Sequence, residues 1–157
     1  MRAVIQRAWG ASVSVDGRIV GQFEGPGLVV LVGVTHSDTE STAARLADKV
    51  WAMRLFDSSH VPPDTCLPPG SARELSASDL GLPLLVISQF TLYADTRKGR
   101  RPTWDAAAPG PMAEPLVAAV IARLQEKGAT VNSGEFGADM KVDFTNDGPM
   151  TIIIDVD

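Results

Sequence analysis

Two short segments carry the residues most able to do chemistry: Ser88-Gln89-Phe90-Thr91-Leu92 and Asn146-Asp147-Gly148-Pro149-Met150-Thr151. Each sets hydroxyl, amide or turn-forming residues among strand-like apolar neighbours. Such groups seldom belong in a core without partners, so together they read as one active site. The rest of the chain offers few rival chemistries. Its two histidines, His36 and His60, are far apart and lack cysteine or carboxylate spacing of the HExxH or CxxC kind, so no metal is expected. A Ser-His-Asp triad would need one of them. His36 opens a helix and His60 falls in a proline-rich excursion, so both read as solvated loop histidines. The single cysteine, Cys66, lies in the same excursion without a nearby histidine to activate it. No GxGxxG or GxxxxGK[ST] stands between a strand and a helix, so neither a phosphate cradle nor a redox cofactor is indicated, and no cofactor is expected.

The elements that must position these residues follow from periodicity. Arg2 to Ala8 and Ser12 to Val15 are β-type runs, and Asp16-Gly17 is the strongest hairpin signal in the chain. Ile19 to Phe23 continues the β-structure, and Leu28 to Val34 is apolar on both faces, as a buried central strand would be. Ser37 and Glu40 have capping-box spacing ahead of a helix over residues 39–55, with Ala43, Leu46, Ala47, Val50, Met53 and Arg54 along its stripe. Between residues 57 and 81 the periodicity gives way to prolines, which reads as an exposed excursion with a short edge strand near Leu75. The next strand, 84–92, alternates Leu85, Ile87, Gln89 and Thr91 against Val86, Ser88, Phe90 and Leu92. Its polar residues cluster at the C-terminal end, where side chains can leave the core and line a pocket. A second amphipathic helix over 111–127 stops at Gly128, and strands at 130–132, 140–144 and 150–156 end the chain, the last two joined by the turn Asn146-Asp147-Gly148-Pro149.

At 157 residues and 45% hydrophobic content, one domain over 1–157 is expected. The fold class is α+β: an antiparallel-rich, barrel-like sheet packed with two main helices. With one cysteine no intrachain disulfide is possible, and no apolar run is long enough to span a bilayer, so the expected setting is the cytoplasm. A net charge of −5 argues against broad nucleic-acid binding, so any polyanion must be met by a local patch. Arg97, Lys98, Arg100 and Arg101 supply one beside the first segment.

The runs Ser-Gln-Phe-Thr-Leu-Tyr-Ala-Asp-Thr-Arg-Lys-Gly from Ser88, Gly-Glu-Phe-Gly-Ala-Asp-Met from Gly134 and Asn-Asp-Gly-Pro-Met-Thr from Asn146 resemble the D-aminoacyl-tRNA deacylase family. The likeness begins at Met-Arg-Ala-Val-Ile-Gln-Arg and covers nearly the whole chain. It departs in the proline-rich stretch 58–71, at Trp104, and at Met150 where valine is common. The resemblance implies a homodimer that hydrolyses the ester between a D-amino acid, or glycine, and the terminal adenosine of tRNA. It also implies a cis Gly148-Pro149 peptide contributed in trans to the partner's pocket, where a rigid backbone wall excludes an L side chain. Gly148 suits close approach because it lacks a Cβ, and Pro149 fixes the backbone there.

The catalytic segment so implied is Gln89, Phe90 and Thr91. Backbone donors around Phe90 stabilise the oxyanion and the RNA's own terminal 2′-hydroxyl assists. Thr91 as a covalent nucleophile would need a positioned base, and none is visible, so it ranks as pocket-forming. Ser88, Phe136, Met140 and Arg7 are the expected substrate-side residues. Phe136 and Met140 would line an adenosine pocket, with core packing as the rival reading, and Arg7 would hold the proline motif across the dimer. Arg97, Lys98, Arg100 and Arg101 would meet the tRNA acceptor end. Two further classes compete: a non-catalytic RNA-end-binding module, and a small-molecule ester or amide hydrolase with no need of RNA.

Overall fold

The computed structural model describes residues 1–63, 65 and 74–157. Cys66 and most of the proline-rich excursion's tip lie outside the described residues. The chain opens with β1 (Arg2–Val15) and β2 (Arg18–Gly33), joined at Asp16 and Gly17, which both take positive φ, 50° and 78°. That pair of angles is the type I′ turn that matches strand twist, as the Asp-Gly signal predicts. α1 (Glu40–Ala52) follows, then β3 (Arg54–Phe56), β4 (Leu75–Ser76), α2 (Ala77–Leu80) and β5 (Leu84–Ser88). α3 (Gly110–Glu126), β6 (Val131–Ser133) and β7 (Met140–Asp155) complete it.

The fold is α+β. Its main sheet has the order β6-β5-β2-β1-β7. β1 pairs antiparallel with β2 and β7, while β5 runs parallel to both β2 and β6, so the sheet is mixed and open at β6 and β7. Period-two alternation divides two cores. Leu28, Val30, Leu84 and Val86 face the helices, with Leu46, Val50, Val120 and Leu124 packed against them. Val29, Leu85 and Ile87 turn to the other face, beside Val13 and Phe23.

Three local expectations change. α1 is capped by Thr39, whose side chain accepts from Thr42 N, rather than by Ser37 with Glu40, and it ends at Ala52. Met53 is already extended, and Arg54 to Phe56 leave the helix to pair with Leu75 and Ser76, so Arg54 is exposed rather than on the helical stripe. The strand expected over 84–92 stops at Ser88. Gln89 N donates to Val32 O at 2.7 Å, after which Leu92 N turns back to Gln89 O at 3.2 Å. The segment then winds into a 3₁₀ turn, Phe90–Tyr93, so Gln89 and Thr91 do not continue the strand's face.

The third change concerns the chain's end, where no reversal occurs at residues 146–149. Residues 140–146 and 151–155 both pair with the same strand, β1. Asn146 lies opposite Ala8 and Thr151 opposite Gln6, so residues 147–150 stand opposite Arg7 alone and must bow out of the strand. The turn signal is real, but here it makes a bulge.

Candidate active site

The 3₁₀ turn after β5 builds one wall of a cavity of about 520 Å³, lined among others by Ser88, Gln89, Phe90, Trp104, Phe136 and Met140. Five of these are residues that the sequence assigns to the site, drawn together from two separate stretches of chain, and Trp104 adds a third. Phe90 is 56% exposed, and Trp104 meets it edge-on, ring centroids 5.2 Å apart at 73°. Two large rings with that much open surface form a mouth where a flat apolar group can lodge. Thr91 is absent from the lining. Its Oγ1 accepts a hydrogen bond from Gln89 Nε2 at 2.5 Å, so the pair stiffens the wall.

Neither histidine serves Thr91 as a base. His36 Nε2 lies 3.0 Å from Asp105 O, and His60 is engaged with Asp57 and Asp147. Burial pushes the nearby Tyr93 phenol up to about 12, with the Asp38 carboxylate adding to the rise, so it stays protonated at neutral pH. The arrangement can orient a reactive carbonyl and offer it hydrogen-bond donors. It is poorly suited to activating a hydroxyl nucleophile.

Gly134 explains how Met140 reaches the cavity. A Cβ at Gly134 would overlap Met140 Sδ and stand 3.4 Å from Ile87 Cδ1. Gly134→Ala is therefore expected to push the thioether into the cavity and raise KM several-fold with a smaller change in kcat, as steady-state kinetics would measure.

Gly148 and Pro149 do not line this cavity, and the peptide between them is cis. Arg7 grips their bulge from within the same chain, where the sequence reading has it reach across a dimer. Its Nε donates to Asp147 O at 3.1 Å, its Nη2 to Gly148 O at 3.3 Å and its Nη1 to Leu55 O at 2.7 Å. The reason is the β1–β7 register, which sets Arg7 directly beneath the bowed residues. Asn146 Nδ2 closes the neck, donating to Arg7 O at 3.1 Å and Met150 O at 3.4 Å.

Arg97, Lys98, Arg100 and Arg101 are all exposed, on a loop closed by Asp95 N to Thr103 O at 2.9 Å and Thr103 N to Asp95 O at 3.0 Å. Thr103 precedes Trp104, so the basic loop hangs beside the cavity mouth. Arg97 is not a free cation: its Nη2 lies 2.7 Å from Asp95 Oδ2, and the guanidinium's hydrogen bonds pull that carboxyl down to about 2. The other three make no ion pair among the described residues. No group of three metal-ligating side chains occurs there either, and no helix there is long and apolar enough to cross a membrane.

Sequence reasoning missed Trp104 as part of the cavity, and missed His60. Far from being solvated, His60 is 5% exposed, its Nδ1 accepting from Asp57 N at 3.2 Å and its Nε2 lying 2.8 Å from Asp147 Oδ2. Trp104 could have been found as a large ring in an otherwise polar loop. His60 had no local signal, since its partner Asp147 comes from the far end of the chain.

The whole molecule superimposes on solved structures of one architecture. One described as c-Myc DNA Unwinding Element Binding Protein matches with a TM-score of 0.84 at 31% identity, covering 100% of this chain and 99% of its own. A probable eukaryotic D-amino acid tRNA deacylase matches with a TM-score of 0.80 at 16% identity, covering 99% and 98%, a likeness of fold alone. The class is thus a deacylase-type α+β fold with a ring-lined cavity at the end of a parallel strand. The sequence model of the family described as D-Tyr-tRNA(Tyr) deacylase matches residues 4–155, and a D-aminoacyl-tRNA deacylase of Cutibacterium acnes is 58% identical over 157 residues, covering 100% of this chain and 98% of its own. The chain belongs to the D-Tyr-tRNA(Tyr) deacylase family.

Proposed function

We propose that this chain hydrolyses the ester of D-aminoacyl-tRNA, and of glycyl-tRNA mischarged on a non-cognate tRNA, to free amino acid and tRNA. The observation that carries this reading is the meeting of the Ser88 to Phe90 segment with Phe136 and Met140 around one cavity, in a chain of this family. The terminal adenosine stacks on the cavity's rings and thioether, which places the ester carbonyl at the 3₁₀ turn. Backbone N–H groups around Phe90 receive the oxyanion, Gln89 and Thr91 hold that backbone still, and the terminal 2′-hydroxyl of the RNA assists water. Because an aminoacyl ester is already reactive, no strong base is needed.

Chirality is set by Gly148 and Pro149 from a second copy of the chain. Their bulge projects from β7, an edge strand of the sheet, and is absent from the lining of its own chain's cavity. A homodimer would deliver each turn into its partner's cavity, where it blocks an L side chain at Cα and admits a D side chain or a hydrogen. Lys98, Arg100 and Arg101 meet acceptor-stem phosphates beside the mouth.

Two tests bear on this. Purified protein is given D-tyrosyl-tRNA and, separately, D-tyrosine ethyl ester. Rapid loss of the first alone supports the reading, equal loss of both favours a small-molecule hydrolase, and loss of neither favours an RNA-end-binding module. Replacing Arg100 and Arg101 together with alanine is expected to weaken tRNA binding and to lower its salt dependence by about one unit of slope for each lost phosphate contact, without changing thermal unfolding. Unchanged binding at low salt would contradict the assignment of this loop.

A further inference from the structure

His60 is the most buried polar side chain near the Gly148–Pro149 bulge, and the chemistry proposed above makes no use of it. Its Nε2 lies 2.8 Å from Asp147 Oδ2, and its Nδ1 lies 3.0 Å from Asp57 Oδ1. The ring stands edge-on to Phe56, a core residue 2% exposed, with centroids 5.4 Å apart. Asp57 is itself fixed, accepting from Ser59 N at 2.8 Å and Ser59 Oγ at 2.6 Å. A line of contacts therefore runs from the hydrophobic core through Phe56 and His60 to Asp147, the residue that precedes Gly148.

A second line reaches the same bulge from the same segment, because Arg7 joins Leu55 O to the carbonyls of Asp147 and Gly148. The two lines converge on Asp147. Arg7 donates to the carbonyls of the bulge, and its Nε also lies 3.1 Å from Asp147 Oδ2. His60 meets the same carboxylate oxygen at 2.8 Å and, packed edge-on against Phe56, ties it to the hydrophobic core, which limits how far the bulge can rock about the strand axis. We infer that His60 is a positioning residue for stereochemical selectivity: its hydrogen bond to Asp147 sets the angle at which the Gly148–Pro149 turn is presented.

This rests on the reading that the turn faces the amino acid's Cα. If so, a turn free to rock excludes L side chains less sharply and contacts D substrates less well. A misplacement of about an ångström is enough to change such rates by orders of magnitude.

The experiment compares kcat/KM for D-tyrosyl-tRNA and L-tyrosyl-tRNA in the wild type, His60→Leu, His60→Gln and Asp147→Ala, with thermal unfolding measured for each. Leucine keeps the contact with Phe56 but has no donor, whereas glutamine retains an amide that can reach Asp147. Asp147→Ala removes the acceptor from its more exposed side, together with the carboxylate's pair with Arg7, and keeps the test alive if His60→Leu does not fold. The ratio of D to L rates is expected to fall about tenfold in His60→Leu and Asp147→Ala, and to return most of the way in His60→Gln. A ratio equal to the wild type's in both deletion variants, whatever their stability, overturns the inference alone. A wild type that cleaves neither substrate, or both equally, overturns the proposed function and the inference with it.

Discussion

Gly148→Ala is expected to cut kcat/KM for D-aminoacyl-tRNA by about a hundredfold while leaving thermal unfolding where it was. Among the described residues of its own chain the added methyl has room, since the nearest atom to a Cβ there is Asn146 Oδ1 at 3.6 Å, an ordinary contact. None of those residues calls for glycine at this position. Under the function proposed above, the turn instead approaches the Cα of a substrate bound by the second copy. A methyl inserted there closes the space left for the D enantiomer's backbone and offsets the ester from the donors around Phe90. Full activity in Gly148→Ala, checked by initial rates on charged tRNA, would remove the turn from the site.

Arg7→Ala has the second largest expected effect, and a different signature. Arg7's side chain is mostly buried, and it serves three backbone carbonyls in two segments, those of Leu55, Asp147 and Gly148, besides the ion pair of Nε with Asp147 Oδ2 at 3.1 Å. Hydrogen bonds from a charged donor contribute about 1.5–3 kcal/mol each, and loss of the donor leaves their acceptors to find water or go unpaired. Several share one side chain, so their effects do not add, and a stability loss of about 3 kcal/mol is expected by chemical denaturation. Activity should fall as well, by somewhat less than in Gly148→Ala, because the bulge loses support but keeps its glycine. Arg7→Lys should recover little, since an ammonium cannot fork across carbonyls in three directions. Stability and activity both unchanged in Arg7→Ala would show that the bulge stands without it.

Which parts of this were legible in the sequence depends on how local each determinant is. The Asp16-Gly17 hairpin, the part of the α1 stripe from Ala43 to Val50 and the Gly128 stop of α3 are set by neighbouring residues, and they stand where the pattern puts them. Gly128 takes φ +90°, and Ala129 N returns to Leu124 O at 3.0 Å, as a glycine-ended helix should. The end of β5 was not legible, because it depends on distant partners: Val32 O takes Gln89 N, but Val34 O, two residues on, is taken by Ala108 N, and the chain turns there. The bulge of β7 has the local sequence of a hairpin turn, and only its pairing on both sides with β1 distinguishes the two. His60 looked solvated for the same kind of reason. It sits among prolines, and the aspartate that buries it is 87 residues away.

The cavity residues themselves were readable as a set. Ser88, Gln89 and Phe90 come from one motif, and Phe136 and Met140 from another, and they share one space. What the motifs could not show is that Gly134 must lack a side chain for Met140 to sit there, or that Arg97 spends its charge on Asp95.

The central claim is stereospecific hydrolysis, and matched D-tyrosyl-tRNA and L-tyrosyl-tRNA test it most directly. Each is incubated with the purified protein, and loss of the ester is followed against a no-enzyme control. The account predicts rapid loss of the D ester and an L ester that decays no faster than the control. Equal loss of both would leave a hydrolase without the proposed selection by Gly148 and Pro149, and loss of neither would contradict the account altogether.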